Sequence, residues 1–116
     1  MPQSLPHPSG PGDDAAAGAV FAALADPTRR HLVAVLGANG GATATGLAAE
    51  LPISRQAVAK HLATLGRAGL VSQSRRGRES LFELDPRPLA DAAEWLTTVG
   101  AEWDTKLADL QRLMRG

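Results

Sequence analysis

The sequence contains no cysteine, and this absence excludes disulfide bonds, thiolate metal ligands and thiol redox sensing. It has no tyrosine and only two phenylalanines and two tryptophans in a chain rich in alanine and leucine, a composition that favours helices over strands. No run approaches the roughly 20 apolar residues of a membrane-spanning helix, and the start has no basic segment followed by the apolar run of a signal peptide. For 116 residues we therefore expect one mostly helical, cytoplasmic domain that contacts no membrane.

The chain also lacks net charge, since it has 12 basic and 12 acidic residues, and this balance by itself argues against binding a polyanion. The charges are unevenly placed, however. Residues 53–79 contain six basic side chains and one acidic side chain, Glu79, whereas residues 80–116 contain four basic and seven acidic side chains. A charge cluster can be no more than a solvated face, but this one is also a candidate surface for nucleic acid. The six basic residues are Arg55, Lys60, Arg67, Arg75, Arg76 and Arg78.

Catalytic signatures are missing as well. The sequence has no nucleophile-elbow, phosphate-loop, zinc-protease or dinucleotide-binding motif. Its three histidines are His7, His31 and His61, and none is accompanied by the several convergent groups that a catalytic or metal site requires. We predict that the protein is not an enzyme and needs no cofactor and no metal.

The first residues, MPQSLPHPSGPG, combine four prolines with glycine and serine and have too little apolar surface to offset the entropy of ordering. Residues 1–13 are therefore predicted to be a disordered tail and residues 14–116 a single domain. Within it, cap residues, prolines and glycines separate the predicted elements. These are a helix from Asp13 or Asp14 to about Ala25, a helix from Pro27 to about Leu36, a short helix capped by Thr43 that stops before Pro52, a helix capped by Ser54 from Arg55 to about Ala68, two strands around residues 75–78, and a long helix that begins after an Asp85-Pro86 cap.

The fold class that follows is mainly α with a small β-hairpin, arranged as a winged helix-turn-helix with a long C-terminal dimerisation helix. In such an arrangement the second helix fits the major groove of DNA and the hairpin reaches the neighbouring backbone. At about 100° per residue, Val58, Leu62 and Leu65 share one face, which turns Gln56 and Lys60 outward. The predicted DNA-binding residues are Ser54, Arg55, Gln56, Ala59, Lys60, His61, Arg75, Arg76 and Arg78.

Their predicted roles differ. Arg55 and Gln56 are the first candidates for reading bases, and Gln56 and Lys60 carry groups that suit adenine and guanine edges respectively. Ser54 either caps its helix or bonds a phosphate, and both roles can coexist. His61 is expected to have a structural or phosphate-contacting role.

Several motifs resemble one family. The segments ADPTRR, SRQAVAKHL and AGLV followed by RRGRE, in this order from about residue 20 onward, resemble the ArsR family of bacterial repressors. The resemblance implies a homodimer that binds a palindromic operator in double-stranded DNA and blocks transcription, often of its own operon.

The family includes metal sensors, but the resemblance departs from them here. Metal-sensing members usually place a cysteine pair on the helix before the turn, where this chain reads TATGLAAEL, and others use histidine with carboxylates on the last helix, which here has no histidine. Carboxylates alone make a poor zinc or copper site. The sequence therefore predicts the metal-independent branch, with an effector that is unknown.

The last helix carries an apolar stripe with steps of four and three residues, which is typical of a helix that packs along another helix. It could simply cover its own core, but a helix of this length extends beyond so small a body and leaves its far half exposed unless a second subunit covers it. We predict a homodimer through this helix and the first one. The interface residues are Phe21, Leu96, Trp103, Leu107, Leu110 and Met114.

The sequence as a whole predicts a sequence-specific DNA-binding repressor. The alternative is a winged helix that serves as a protein–protein interaction module, which the basic cluster and the outward Gln56 and Lys60 disfavour. An enzyme ranks last.

Overall fold

The computed structural model describes the backbone of residues 11–115 and the side chains of residues 14–114. Residues 1–10, which include most of the predicted tail and His7, lie outside the described residues. The described part consists of five helices and one antiparallel hairpin. The elements are α1 (Pro11–Ala23), α2 (Pro27–Asn39), α3 (Ala44–Glu50), α4 (Arg55–Arg67), β1 (Val71–Arg76), β2 (Glu79–Leu84) and α5 (Arg87–Arg115).

Three helices begin at the predicted cap residues. The Asp26 carboxylate accepts the Arg29 backbone N–H at 3.1 Å, and this bond lowers the pKa of Asp26 below its ordinary value. The Thr43 hydroxyl accepts the Gly46 N–H, and the Ser54 hydroxyl accepts the Ala57 N–H, both at 3.0 Å. Each bond satisfies a backbone donor that the first turn of a helix leaves without a partner, so these three predicted starts are confirmed.

Other boundaries differ from the prediction. Helix α1 begins at Pro11 and ends at Ala23, rather than beginning at Asp13 or Asp14 and ending near Ala25. Helix α2 continues past Gly37 to Asn39, where Gly40, with a left-handed φ of 79°, donates its N–H to the Leu36 carbonyl.

Gly37 thus lies inside α2 instead of ending it, and its position explains why glycine is there. A Cβ at Gly37 would lie 3.3 Å from the Leu84 side chain, closer than most Cβ contacts. The missing side chain lets α2 pack closely against β2.

The start of α5 is one residue later than the Asp85-Pro86 pattern suggests. The Asp85 carboxylate accepts the Arg87 backbone N–H at 3.0 Å and pairs with the Arg87 guanidinium at 2.7 Å. This hydrogen-bonded guanidinium holds the pKa of Asp85 down at about 2. Asp85 therefore lies outside α5 and stabilises its first residue through these two contacts.

One apolar core joins the five helices and the hairpin. Its central side chains are almost fully buried, and the described part contains no buried polar or charged residue. The largest of them are Val20, Leu32, Leu36, Leu47, Val58, Leu62, Leu65 and Leu70. No helix among the described residues is long and apolar enough to cross a membrane.

The hairpin is fixed to this core at its base. Strands β1 and β2 pair in antiparallel register from Val71 opposite Leu84 to Arg76 opposite Glu79. The backbones of Phe82 and Ala42 exchange two hydrogen bonds of 2.8 and 2.9 Å, which the sequence analysis did not predict. Asp85 donates its N–H to Leu70 at 2.8 Å, so the hairpin is held against both the α2–α3 loop and the end of α4.

Helix α5 is much longer than the helix it packs against. Its 29 residues span about 43 Å, whereas the 13 residues of α1 span about 20 Å, at roughly 1.5 Å per residue. The Trp95 indole N–H donates to the Asp14 carboxylate at 2.6 Å, and the Phe21 and Trp95 rings lie 5.8 Å apart. These contacts join α1 to the first half of α5, and the second half projects beyond them.

Candidate nucleic-acid interface

The helix-turn-helix is formed by α3, the turn at residues 51–54, and α4. Pro52 stops α3 because a residue before proline avoids helical geometry, and Leu51 has the extended conformation, with ψ of 147°. The Ser54 hydroxyl then starts α4. With its oxygen accepting the Ala57 N–H, Ser54 has the predicted capping role, while a phosphate contact stays a prediction.

Helix α4 has one buried and one exposed face, as predicted. Val58, Leu62 and Leu65 are between 0% and 2% exposed. The opposite face carries Gln56, Ala59, Lys60 and Ala63, all of them exposed, and Arg55 is exposed at the start of the helix. The small side chains at Ala59 and Ala63 leave space for close approach to a flat partner, between groups that donate and accept hydrogen bonds.

His61 does not share this exposed face. It is half-buried, and its Nδ1 lies 3.5 Å from the Arg29 guanidinium of α2. On a helical projection His61 lies about 100° from Lys60 and on the shoulder of the buried face. The geometry favours the structural half of the role predicted for His61.

The hairpin presents the predicted arginines at its tip. Gly77 and Arg78 form the two-residue turn between the paired Arg76 and Glu79. Gly77 has φ of 63°, the positive value that a tight hairpin needs at its first turn position and that glycine adopts without strain. Arg75, Arg76 and Arg78 are all exposed, as a surface that contacts a phosphate backbone requires.

The basic cluster as a whole lies at the surface. Arg55, Lys60 and Arg67 on α4 are exposed like the three hairpin arginines. None of the six makes an ion pair with a carboxylate among the residues that the structure describes. Their charge is therefore not neutralised within this part of the chain, and it faces solvent from α4 and β1 and their turns.

Arg29 and Arg30 have a role that the sequence analysis left out. The Arg29 guanidinium donates to the carbonyls of Ala23, at 2.5 Å, and Ala22, at 3.3 Å. Arg30 donates to the carbonyls of Leu24, at 2.7 Å, and Ala25, at 3.3 Å. The last carbonyls of a helix lack partners within it, so both side chains of α2 cap the C-terminal end of α1.

Of these two arginines only Arg29 also contacts α4, through His61. It therefore links three elements: α1, α2 and α4. A pair of arginines in an ADPTRR segment can equally contact DNA or pair with acids, and the sequence pattern alone does not identify carbonyl groups six or seven residues earlier as their partners.

The predicted dimer residues form an exposed apolar surface on α5. Leu96, Trp103, Leu107 and Leu110 are each between 51% and 58% exposed, and Met114 is 77% exposed. Lys106 lies over the Trp103 ring, 5.4 Å from its centroid. Phe21 on α1 is 36% exposed and in ring contact with Trp95.

A metal site would require several ligand side chains close together among the described residues. Among them no three histidine, aspartate or glutamate side chains come together where they could hold a metal ion. The carboxylates of α5 are spread along the length of the helix, from Asp91 to Asp109.

Comparison with known proteins gives consistent results. The family described as "Helix-turn-helix domain" matches residues 24–73. The transcriptional repressor SdpR of Bacillus subtilis is 34% identical over 77 residues, which are 66% of this chain and 84% of that protein. The HTH-type transcriptional regulator Rv2034 of Mycobacterium tuberculosis is 46% identical over 68 residues, 59% of this chain and 63% of that protein.

Among solved structures, an ArsR-like transcriptional regulator from Rhodococcus sp. RHA1 superposes with a TM-score of 0.80. It is 41% identical in sequence, and the match covers 89% of this chain and 96% of that chain. The similarity thus extends over most of the chain and is not confined to the helix-turn-helix.

The link made by Arg29 predicts unequal effects of two neighbouring substitutions. Arg29→Met should lower the free energy of unfolding by about 1–3 kcal/mol, because it removes hydrogen bonds from a half-buried charged group that connects three helices. Arg30→Met removes similar bonds from an exposed side chain and should cost less than about 1 kcal/mol. Urea denaturation followed by circular dichroism measures both. Equal losses would show that the contact with α4 contributes nothing.

Proposed function

The chain belongs to the ArsR family of winged helix-turn-helix transcriptional regulators, and from this we propose that it is a dimeric, sequence-specific repressor that binds a palindromic operator and is not controlled by metal. The observation that carries the proposal is the exposed face of α4, where Gln56, Ala59 and Lys60 lie opposite the buried face, together with the hairpin that follows α4 and carries exposed arginines without ion-pair partners in the described structure. The proposal concerns a regulator, and this fold class and the relatives are not those of an enzyme.

Sequence reading is assigned to the start and middle of α4. Gln56 carries the amide that bonds adenine in two places, and Lys60 carries the donor that suits guanine. Ala59 and Ala63 on the same face let the helix axis lie closer to the base edges, because their side chains are small. Arg55 lies at the N-terminal end of α4, where recognition helices of this type contact base edges.

The proposed role of the hairpin, which we call the wing, is to contact the phosphate backbone of DNA. Phosphate contacts increase affinity for any duplex and carry no sequence information. Arg75, Arg76 and Arg78 suit this role because each is exposed and none has an ion-pair partner in the described structure.

Dimerisation is supported by the exposed stripe on α5. Each protomer alone would leave Leu96, Trp103, Leu107 and Leu110 at least half exposed to water, a continuous apolar surface that a monomer rarely keeps. Leu89, near the start of the same helix, packs instead against the core of its own protomer. The proposed interface therefore begins near Leu96, the first strongly exposed apolar residue of α5.

Metal independence is supported by the donor set. The chain has no thiol, the described residues hold no cluster of ligands, and His61 is turned to Arg29. The alternative of a protein–protein interaction module has no specific observation in its favour, since the recognition face is exposed, polar and flanked by positive charge.

The direct test is binding to the DNA upstream of the protein's own gene. The chain should bind this fragment at least about a thousandfold more tightly than an unrelated duplex, the usual lower range for specific recognition. A chelator, or micromolar zinc, cadmium or arsenite, should leave the affinity unchanged in a fluorescence anisotropy titration. A reproducible tenfold change, about 1.4 kcal/mol, would contradict metal independence, and equal affinity for both duplexes would contradict operator recognition there.

The wing is tested by replacing two arginines together. Arg76→Ala with Arg78→Ala should weaken binding to specific and random DNA by similar factors, and should reduce the slope of log affinity against log salt by up to about two. Arg112→Ala, an exposed arginine near the far end of α5, is the matched control and should leave the slope unchanged. An unchanged slope in the double variant would exclude the backbone role.

The dimer surface is tested by Trp103→Ala with Leu107→Asp. The variant should be monomeric in sedimentation, keep most of its helical circular dichroism, and lose operator binding by a large factor, because two recognition helices must be held about 34 Å apart to read two half-sites. Ala101→Asp places the same carboxylate on the exposed opposite side of α5 and should remain a dimer. A folded monomer with the parent's operator affinity would refute the dimeric mechanism.

A further inference from the structure

A cavity lies where the dimerisation helices meet the DNA-binding part of the chain. It has a volume of about 640 Å³ and is lined by residues of α1, of the start of α5, and of the segments that directly follow α4 and β2. Small-molecule sites commonly have volumes of about 300–1,000 Å³. The cavity thus has room for a drug-sized organic molecule, and the proposed DNA contacts do not use it.

The most buried part of the cavity lining is apolar. Ala17 and Val20 of α1 and Ala92 of α5 are each 6% exposed or less, and none of the three has a large side chain. One wall is Trp95, whose indole N–H is held by the Asp14 carboxylate at 2.6 Å. Because this bond fixes the ring, an apolar or aromatic ligand would meet a surface that needs no rearrangement.

The rim of the cavity is negatively charged. It carries Asp85, Asp91 and Glu94 against one cation, Arg87, and Arg87 is already paired with Asp85 at 2.7 Å. Asp91 lies four residues after Arg87 on α5 and is attracted to it electrostatically, but neither Asp91 nor Glu94 makes a hydrogen bond or an ion pair with any other residue that the structure describes. Two carboxylates and an indole that line one cavity complement an organic cation, which is attracted to negative charge and, where it lies over the ring, to the ring quadrupole.

This rim is separate from the proposed dimer surface. Glu94 and Leu96 are two residues apart on α5, which places their side chains about 200° apart around the helix axis. The carboxylates therefore project from the side of α5 opposite to the apolar stripe, and a second subunit seated on Leu96 and Trp103 would not cover them.

We propose that this cavity binds a small organic cation with an apolar or aromatic body, such as an alkyl-aryl amine or a quaternary ammonium compound. The cation lies between Asp91 and Glu94, and the apolar body lies along Trp95 and the buried apolar lining.

The position of the cavity gives its occupancy a consequence for DNA binding, and this part rests on the proposed function. Ala68 caps the C-terminal end of α4, Asp85 follows the wing, and the remaining lining belongs to α1 and α5. A ligand in the cavity thus touches the residues that follow the recognition helix α4, the junction between the wing and α5, and both dimerisation helices. If the ligand changes operator affinity, operator must change ligand affinity by the same factor.

Binding is tested first without DNA, on the full chain, with phenylbutylammonium as the probe and phenylbutanol and phenylbutanoate as neutral and anionic probes of matched shape. The ammonium probe should bind at least tenfold more tightly than either, measured by calorimetry. It should shift the Trp95 indole N–H resonance in a saturable way, with the resonance assigned through Trp95→Phe. Equal affinities for the three probes, or no binding of the ammonium probe at millimolar concentration, would overturn the proposal.

Variants locate the site. Asp91→Asn with Glu94→Gln should weaken the ammonium probe at least tenfold, and Asp104→Asn, an exposed carboxylate elsewhere on α5, should not. Equal loss in both would overturn the site. A Trp95 resonance that shifts with protein concentration and ignores the probe would assign the cavity to a second copy of this chain, and would also refute the proposal.

The regulatory part is tested on the upstream DNA fragment. Saturating ammonium probe should change operator affinity at least threefold, and the double carboxylate variant should abolish the change. Unchanged affinity with saturated ligand would overturn the regulatory role, whereas failure of the parent chain to recognise the fragment would count against the proposed function and not against the cavity.

Discussion

The burial of one face of α4 is the constraint on which the rest of this structure depends. Val58, Leu62 and Leu65 are almost completely removed from water, and each such side chain contributes about 1.5–3 kcal/mol of transfer free energy. A rotation of α4 about its axis would expose all three together. Their burial therefore fixes which residues face outward, and the orientation of Gln56 and Lys60 is a consequence of the apolar core rather than of any contact that these two side chains make.

The same constraint explains which parts of the fold and the site can be predicted from sequence. The faces of α4 follow from the helical period, and the starts of α2, α3 and α4 follow from Asp26, Thr43 and Ser54, because a cap bonds a donor only three residues away. These are local regularities, and each is confirmed. The predicted end of α2 was wrong. Gly37 stays helical because α2 packs there against Leu84 of the hairpin, which is 47 residues later in the chain. Arg29 and His61 are 32 residues apart, and no local pattern predicts such a contact, although the projection of α4 does place His61 away from the outward face.

The chain has zero net charge, but its basic and acidic side chains are concentrated on different elements of the fold. Exposed arginines and Lys60 are gathered on α4 and the wing, whereas the carboxylates Asp91, Glu94 and Asp104 lie along α5. At physiological salt, charges more than about 8 Å apart are largely screened from one another. The basic surface can therefore attract a polyanion although the chain as a whole is neutral, and the acidic helix does not cancel it.

The connections between elements decide how the two ends of the molecule can move relative to each other. Leu70 donates to Leu65 and Asp85 donates to Leu70, at 3.0 and 2.8 Å, so the end of α4, the base of the wing and the entry into α5 are hydrogen-bonded in one short path. Arg29 and Arg30 tie α1 to α2 on the other side, and the Trp95–Asp14 bond ties α1 to α5. The DNA-binding part and the first half of α5 thus form a closed ring of contacts, whereas the second half of α5 has no described partner within the core.

In the proposed dimer, a change in the spacing of the two recognition helices must then arise either where α5 leaves α1 or by loosening this ring. The cavity beside Trp95 lies at the point where the ring closes, so a molecule bound there acts on the contact that sets the direction of α5.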